Sequence, residues 1–189
     1  MTTGVKKGSP SANMESPTAR RAANPDAACV EDVIIRRPSC ADIPGLALLF
    51  SEMQSHYGRP VPDAAATEAA MLACQSPVGA FDPRVLIAFV GKVTAGSLVM
   101  NVSFPAFELT RSLYIRDLYV ANTMRRSGVG RALVRSAAQL ALSEGFSALE
   151  WTTDSANVAA RKMYEACGAS QLDRTYYRLF QDSLSYAAS

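Results

Sequence analysis

The stretch R-R-S-G-V-G-R-A, residues 125–132, follows a strand-like apolar run that ends at Val120 and opens an amphipathic segment. Its two glycines allow the backbone to approach a ligand closely, and its arginines supply positive charge. The unpaired N–H groups of a helix start face whatever lies in front of them. This stretch, called the glycine loop below, therefore predicts an anion-binding site, and a pyrophosphate is the expected ligand.

Two familiar phosphate-binding motifs do not fit the glycine loop. A Walker loop requires G-x-x-x-x-G-K-[ST], and the chain contains no such string. A dinucleotide-binding fingerprint requires Gly or Ala three residues after its second glycine, whereas here Leu133 follows Gly130 at that distance. The loop thus predicts neither a P-loop hydrolase nor a Rossmann domain.

The composition predicts a globular protein with a polar tail. The chain has 189 residues, of which 49% are hydrophobic, and this suffices for one domain with a full core. Residues 1–28 are rich in Ala, Ser, Thr, Pro and Gly and contain no aromatic residue, so they cannot bury enough apolar area to offset the entropy of ordering. We expect a disordered tail over residues 1–28 and a single domain over residues 29–189.

Charge and hydropathy argue against two classes of partner. The formal net charge of +2 equals the excess of four basic over two acidic residues in the tail, so the rest of the chain is neutral overall. A neutral surface gives no reason to expect nucleic acid, because such binding neutralises several phosphates. No apolar run approaches the roughly 18 residues that a membrane span needs. We therefore expect no nucleic-acid partner and no membrane partner.

The cysteines predict free thiols rather than a metal site. They are scattered without a C-x-x-C pair, and the chain has a single histidine, His56, that could join them at a metal. No apolar leader-like run precedes them, which favours a reducing cytoplasm over an oxidising compartment. We expect no bound metal and a cytoplasmic location. The four thiols concerned are Cys29, Cys40, Cys74 and Cys167.

The hydrophobic pattern predicts a mixed α/β chain. Strands are expected at residues 33–36, 85–90, 93–102, 112–120, 148–152 and 175–180, and helices at 43–56, 63–74, 128–144 and 157–166. The turn at Gly91 predicts a hairpin of the second and third strands. The strand, helix and strand between residues 112 and 152 predict a right-handed crossover that joins two parallel neighbours.

Three motifs, taken in order, resemble those of the GCN5-related N-acetyltransferase (GNAT) family. They are L-Y-I-R-D-L-Y-V at residues 113–120, the glycine loop, and D-S-A-N-V-A-A-R-K-M-Y-E-A-C-G at residues 154–168. The resemblance covers the chain from about residue 33 to its end. It implies an α/β fold with a mixed central sheet of about six to seven strands, antiparallel in its N-terminal half, with a parallel splayed pair in the middle and four flanking helices.

The resemblance also implies acetyl-CoA as the co-substrate, bound between the two splayed strands. Leu118, Tyr119 and Val120 are then expected to hold the acetyl and pantetheine groups through their backbone, while ordinary sheet packing accounts equally well for their side chains. The pyrophosphate is expected against the glycine loop. The loop residues implied are Arg125, Arg126, Ser127, Gly128, Val129, Gly130, Arg131 and Ala132.

Asn157 and Tyr164 are seven residues apart. This spacing places them on one face of a helix, about 10.5 Å apart along its axis. By the resemblance, Asn157 contacts the cofactor arm and Tyr164 lies near the sulfur. A tyrosine with a reference pKa near 10 is protonated at neutral pH and can donate a proton to the departing thiolate. We therefore expect Tyr164 to be the general acid when an amine attacks the thioester directly.

The general base is marked less clearly than the acid. Asp117 and Glu150 lie on the two strands that flank the expected site, and either carboxylate can act through water. A paired or surface carboxylate is the more common explanation for residues of this kind. His56, at the end of the first predicted helix, has a fitting reference pKa and is a candidate for the acceptor pocket.

The C-terminal stretches G-A-S at residues 168–170 and Y-R-L-F at residues 177–180 look like those of the diamine and polyamine acetyltransferase branch of the family. Those relatives carry an acidic pair in the strand before the glycine loop, where this chain reads Arg116-Asp117. An arginine at that place repels a polyamine and suits an amine that carries a carboxylate.

The sequence thus predicts an N-acetyltransferase that moves an acetyl group onto the primary amine of a small molecule, an amino-acid-like amine or a diamine. Acetylation of a protein amine is one alternative, and a non-catalytic acyl-CoA-binding module is the other. Similar proteins commonly form a homodimer through their C-terminal strands, and this arrangement stays open here.

Overall fold

The computed structural model of the chain describes residues 32–189, so the predicted tail over residues 1–28 and Cys29 lie outside the described residues. Within this part of the chain, five strands and five α-helices follow one another. They are β1 Val33–Arg36, α1 Ile43–His56, α2 Asp63–Ala73, β2 Arg84–Val90, β3 Val93–Ser103, β4 Ser112–Val120, α3 Val129–Ser143, β5 Leu149–Trp151, α4 Val158–Ala166 and α5 Gln181–Ala187.

The strands form one mixed sheet in the order β1-β2-β3-β4-β5. The first three pairs are antiparallel, and β4 and β5 are parallel. Helix α3 connects the two parallel strands, because such strands need a crossover rather than a tight turn. The predicted antiparallel N-terminal half and the parallel pair are thereby confirmed.

The strand count is lower than the sequence predicts. The sheet has five strands within residues 32–189, not six to seven, and the strand expected at residues 175–180 has no ladder partner. A strand exists only through pairing, and the neighbouring edge strand β5 is three residues long, so it offers few backbone groups to pair with. The short helix α5 was not predicted from the sequence. Its apolar side chains Leu184 and Tyr186 are exposed, so α5 has no buried apolar face and no corresponding helical pattern in the sequence.

The sheet buries one helix layer on each face. Helix α3 packs on the first face, where Leu98 of β3, Leu113 of β4 and Leu133 of α3 are fully buried. Helices α1 and α2 pack on the other face, against Ile87 and Tyr119. Helix α1 buries Leu46, Leu49, Phe50 and Met53, whose spacing of three or four residues is that of one helical face.

Strand β4 contains a bulge at its middle. Met100 of β3 pairs with Ile115, and the next β3 residue, Val99, pairs with Asp117, so Arg116 is an additional residue on β4. The pairing of β4 with β5 ends at Ile115 and Trp151, directly before this bulge. Beyond that point β4 keeps its β3 partner but has no strand on its other side. This open lane beside residues 116–120 is called the strand gap below.

Two further properties concern residues 32–189. None of their helices is long and apolar enough to cross a bilayer. Cys40, Cys74 and Cys167 are free thiols. The cytoplasmic location stays a prediction.

Candidate active site

The glycine loop joins the end of β4 to the start of α3, as the sequence predicts. Arg126 and Gly128 both have positive φ angles, 64° and 87°, and Gly128 directly precedes the first residue of α3. Only glycine adopts such a conformation without strain. The N–H of Ala132 donates to the carbonyl of Gly128 at 3.0 Å, so the N–H groups from Gly128 to Arg131 precede this hydrogen bond. The loop therefore presents several backbone donors at a helix N-terminus.

Gly130 shows what the first turn of α3 faces. A Cβ atom built on Gly130 would lie 3.7 Å from Cγ2 of Val120, 3.7 Å from Cε of Met163 and 4.0 Å from Cδ2 of Leu118. The bare backbone of α3 therefore looks onto the space between the end of β4 and helix α4. A larger side chain at this position would occupy the mouth of the strand gap.

The three arginines of the glycine loop have different surroundings. Arg125 turns back on β4, where its Nε donates to the carbonyl of Val120 at 3.4 Å and its guanidinium lies 5.5 Å from the centre of the Tyr119 ring. Arg126 and Arg131 are exposed, and within residues 32–189 neither forms an ion pair. Two unneutralised cations thus lie beside the free N–H groups. This combination is suited to a polyvalent anion.

The other loop residues serve the loop itself. Ser127 donates its hydroxyl to the carbonyl of Met124 at 2.6 Å, which closes the turn before the helix. The side chain of Val129 is buried in the α3 core, so only its backbone faces outward. Because the Ser127 hydroxyl hydrogen is engaged by Met124 and the Val129 side chain is buried, the predicted contacts of both residues with an anion can be made only by their backbone N–H groups.

Tyr119 is held by a residue that the sequence reasoning missed. The Tyr119 ring is 3% exposed, and its hydroxyl donates to Oε1 of Glu52 on α1 at 3.0 Å. The backbone N–H of Asn122 donates to the same oxygen at 2.7 Å. Glu52 thereby ties α1 to the start of the loop that leads into α3. Glu52 precedes His56 by four residues, so both side chains lie on one face of α1. This spacing from a candidate site residue is the sequence feature that could have indicated Glu52.

His56 lies at the C-terminal end of α1, beside the same end of β4. Its ring centre is 6.0 Å from that of Tyr119 and 5.4 Å from that of Tyr57. His56 therefore lies beside the end of β4, and its role in an acceptor pocket stays a prediction. Tyr57, which the sequence reasoning did not single out, lies next to it.

Tyr164 of α4 lies across the strand gap from the end of β4. Its ring packs on Trp151 with centres 5.0 Å apart. Burial raises the pKa of the Tyr164 phenol, and the neighbouring Tyr57 and Cys167 raise it further. The phenol is therefore protonated at neutral pH, as a proton donor must be.

Asn157 precedes the first residue of α4 and acts as its N-cap. Its Oδ1 accepts a hydrogen bond from the N–H of Ala160 at 3.2 Å. This cap fixes the direction in which α4 leaves β5. The side-chain amide nitrogen forms no hydrogen bond within residues 32–189. This nitrogen is therefore the atom of Asn157 that is available for the predicted contact with the cofactor.

The carboxylates of the two candidate bases, Asp117 and Glu150, differ in their hydrogen bonding. Oε2 of Glu150 accepts a hydrogen bond from Ser112 at 2.7 Å, in the paired part of the β4 and β5 ladder. Asp117 lies beyond the pairing, and within residues 32–189 no hydrogen bond or ion pair holds its carboxylate. Burial raises the pKa of Asp117, and the charge of Arg116 offsets part of that shift. Asp117 is therefore the carboxylate that is free to take a proton.

A cavity of about 800 Å³ lies between β5, α4 and the C-terminal segment, defined as residues 169–180. Its walls include Tyr114, Trp151, Tyr164 and Tyr176. The hydroxyl groups of Tyr114 and Thr152 are 2.8 Å apart along this wall. Within residues 32–189 no three His, Cys, Asp or Glu side chains converge as a metal site would require.

Residues 47–169 match the family described as Acetyltransferase (GNAT) family. The chain belongs to the GNAT family. The family predicted from the three motifs is therefore confirmed, and the GNAT motifs coincide with β4, the glycine loop and α4.

Two curated proteins are similar to parts of this GNAT chain. L-ornithine N5-acetyltransferase NATA1 of Arabidopsis thaliana is 32% identical over 77 residues, which are 41% of this chain and 34% of that protein. Thialysine N-epsilon-acetyltransferase of Caenorhabditis elegans is 35% identical over 81 residues, which are 42% of this chain and 49% of that protein. The matched segments thus span between a third and a half of these relatives.

Solved structures share the GNAT fold of this chain. An integron cassette protein from the mobile metagenome of V. cholerae is 25% identical with a TM-score of 0.69, covering 82% of this chain and 97% of that protein. An aminoglycoside acetyltransferase from an uncultured soil sample, solved with sisomicin, is 21% identical with a TM-score of 0.61, covering 78% and 97%. The second likeness concerns the fold alone.

Proposed function

We propose that the chain is an acetyl-CoA-dependent N-acetyltransferase that acts on the primary amine of a small molecule, an amino-acid-like amine or a diamine. One observation carries this proposal: a parallel strand pair stops at Ile115 and Trp151, and beyond it the strand gap lies between the cationic glycine loop and the Tyr164 phenol. Membership of the GNAT family supports the proposal.

The residues present fit acetyl-CoA, which supplies the acetyl group as a thioester. Within residues 32–189, no strand pairs with β4 on the β5 side beyond Trp151. The N–H of Ala121 donates to Ala95 of β3, and backbone groups alternate along a strand, so those of Leu118 and Val120 point to the strand gap and those of Tyr119 point to Ser97 of β3. The backbone groups of Leu118 and Val120 are available to an extended ligand, apart from the Val120 carbonyl, which accepts from Arg125 at 3.4 Å. Gly130 keeps the mouth of the gap open, and Arg126 and Arg131 lie beside the free N–H groups of α3. These groups would hold the pantetheine arm and the pyrophosphate.

The chain supplies an acid and a base on the two sides of the strand gap. Tyr164 keeps its proton through neutral pH and donates it to the thiolate that leaves. Asp117 accepts the proton that an alkylammonium must lose before it attacks, directly or through one water. The raised pKa of Asp117 makes it a stronger base than an exposed aspartate. Glu150 is the alternative base, and its hydrogen bond to Ser112 makes it the weaker candidate.

The test is release of CoA thiol from acetyl-CoA in the presence of a panel of amines. We expect thiol release with at least one small amine, and a loss of about 10²- to 10³-fold in kcat for Tyr164→Phe, because that variant removes only the proton donor. Tyr186→Phe is the matched control, since Tyr186 is exposed on α5, and its kcat should be unchanged. If acetyl-CoA binds but no amine causes thiol release, the proposal is refuted and the chain is a non-catalytic acyl-CoA-binding module. If only peptides cause thiol release, the chain is a protein acetyltransferase.

We also propose a homodimer through the C-terminal segment and α5. Large apolar side chains are exposed along this part of the chain, which is costly for a monomer and typical of a surface that a second copy covers. They are Leu172, Tyr177, Leu179, Phe180, Leu184 and Tyr186. Light scattering of the intact chain should give a dimer mass, and Tyr177→Ser together with Phe180→Ser should shift it to the monomer. A monomer at all concentrations of the intact chain would refute the dimer.

A further inference from the structure

Two arginines from distant parts of the chain, Arg116 and Arg178, both interact with Tyr176. Arg116 is the additional residue in the β4 bulge and is exposed. Arg178 lies on the C-terminal segment, where its Nη2 donates to the hydroxyl of Tyr176 at 3.2 Å. The Arg178 guanidinium also lies 5.4 Å from the Tyr176 ring centre and 5.9 Å from that of Phe180. The aromatic rings thus hold the Arg178 guanidinium in one orientation.

Both guanidinium groups act on the same phenol. The pKa of Tyr176 is held below its usual value by the hydrogen bond and charge of Arg178, and further by those of Arg116. Arg178 is also near enough to Tyr114 for the two groups to interact. The bulge of β4 and the C-terminal segment therefore bring two cations to two phenols, Tyr114 and Tyr176, and both phenols line the cavity beside Tyr164.

The two arginines bring unneutralised positive charge to these phenols. Within residues 32–189, neither Arg116 nor Arg178 forms an ion pair with a carboxylate. Asp117, the next residue after Arg116, is the carboxylate with the raised pKa and is engaged by neither guanidinium at ion-pair distance. Guanidinium groups that have no carboxylate at ion-pair distance keep their N–H donors available, and a planar carboxylate matches those paired donors.

We propose that Arg116 and Arg178 form a carboxylate-binding subsite, with Tyr176 and Tyr114 as hydroxyl partners, and that the acceptor is therefore an amino acid or an amino acid derivative with a free carboxylate. The inference rests on the proposed function, since it names the acceptor of that reaction. The subsite adjoins Asp117, so an acceptor held there by its carboxylate brings its amine toward the residue that takes the proton. A diamine has no carboxylate that the two guanidinium groups could bind, and its ammonium groups are repelled by their positive charge.

The experiment compares acceptors that differ only in a carboxylate. Ornithine and putrescine form one such pair, and lysine and cadaverine form the other. Wild type should prefer the carboxylate-bearing member at least tenfold in kcat/KM. Arg116→Ala and Arg178→Ala should each reduce that preference at least fivefold through the acceptor KM, with the KM for acetyl-CoA unchanged, and Arg178→Lys should restore part of it. Arg135→Ala, an exposed arginine on α3, is the matched control and should keep the wild-type preference.

Binding provides a readout that does not depend on turnover. Trp151 is the single tryptophan of the chain and lines the cavity beside Tyr164, so its fluorescence reports an acceptor in the site. Ornithine should change this fluorescence at lower concentration than putrescine, and both arginine variants should abolish the difference. Thiol release with putrescine equal to or above that with ornithine refutes the subsite while the proposed function stands. Selective ornithine binding without any thiol release refutes the proposed function and keeps the subsite.

Discussion

Removal of the Glu52 carboxylate should weaken the join between α1 and the end of β4. Glu52 accepts one hydrogen bond from the Tyr119 hydroxyl and one from the Asn122 N–H, and hydrogen bonds to a charged group contribute about 1.5–3 kcal/mol each. Because Glu52 is half-buried and Asn122 is exposed, water replaces part of the second bond. The Tyr119 hydroxyl is buried and would lose its partner. We expect Glu52→Ala to lower the free energy of unfolding by about 2–3 kcal/mol and Tyr119→Phe by about 1 kcal/mol.

The assay is urea denaturation of wild type, both single variants and the double variant. If the two side chains interact as their 3.0 Å distance indicates, the double variant should be less destabilised than the sum of the singles, by about 1–2 kcal/mol. The KM for acetyl-CoA should rise in Glu52→Ala, since Asn122 begins the turn that leads into the glycine loop. Additive single effects, with a coupling energy below about 0.3 kcal/mol, would show that the Glu52–Tyr119 bond does not stabilise the native state.

Three further predictions concern the loop, acid stability and the base. Gly128→Ala should cost about 1–2 kcal/mol of stability because φ is 87°, and should raise the KM for acetyl-CoA, whereas Gly145→Ala, with φ of 71° at the far end of α3, should cost a similar amount and leave that KM unchanged. The hydrogen bonds from Arg36 hold the pKa of Asp42 well below its usual range, so this stabilisation is present above an unfolded pKa of about 3.9 and is lost as pH falls below it. Asp42→Asn should therefore lower stability in urea titrations at pH 7 and have a smaller effect at pH 3, and an equal loss at both would contradict this linkage. If Asp117 is the base, kcat/KM should fall at acid pH with a midpoint above 3.9, and Asp117→Asn should remove that limb of the profile.

The parts of the fold that the sequence predicted are those that local patterns determine. Helix α3 was expected over residues 128–144 and spans Val129–Ser143, because a positive-φ glycine precedes it and apolar residues recur along it at helical spacing. The parallel pair followed from the strand, helix and strand order around it. The GNAT motifs placed the glycine loop and Tyr164 on the elements where the structure has them.

The features that sequence reasoning missed depend on contacts between distant residues. Glu52 and Tyr119 are 67 positions apart in the chain, and the residues around Glu52 do not indicate that Tyr119 is its partner. Residues 175–180 are rich in the aromatic side chains that favour strands, but strand formation also requires a neighbouring edge, and β5 is only three residues long. The bulge at Arg116 is a property of the pairing between β3 and β4, so the sequence of β4 alone does not reveal it.

The bulge means that β4 is one residue longer than its sheet requires. Ile115 faces α3 and Asp117 faces α1, so a chain lacking Arg116 would keep every buried β4 side chain on its present side of the sheet. Such a shortened chain would straighten β4 and allow its ladder with β5 to continue past Trp151. The inserted residue Arg116 thus leaves core packing unchanged, because the buried β4 side chains keep their sides of the sheet. It also ends the pairing of β4 with β5, and this end of the pairing opens the strand gap for a ligand.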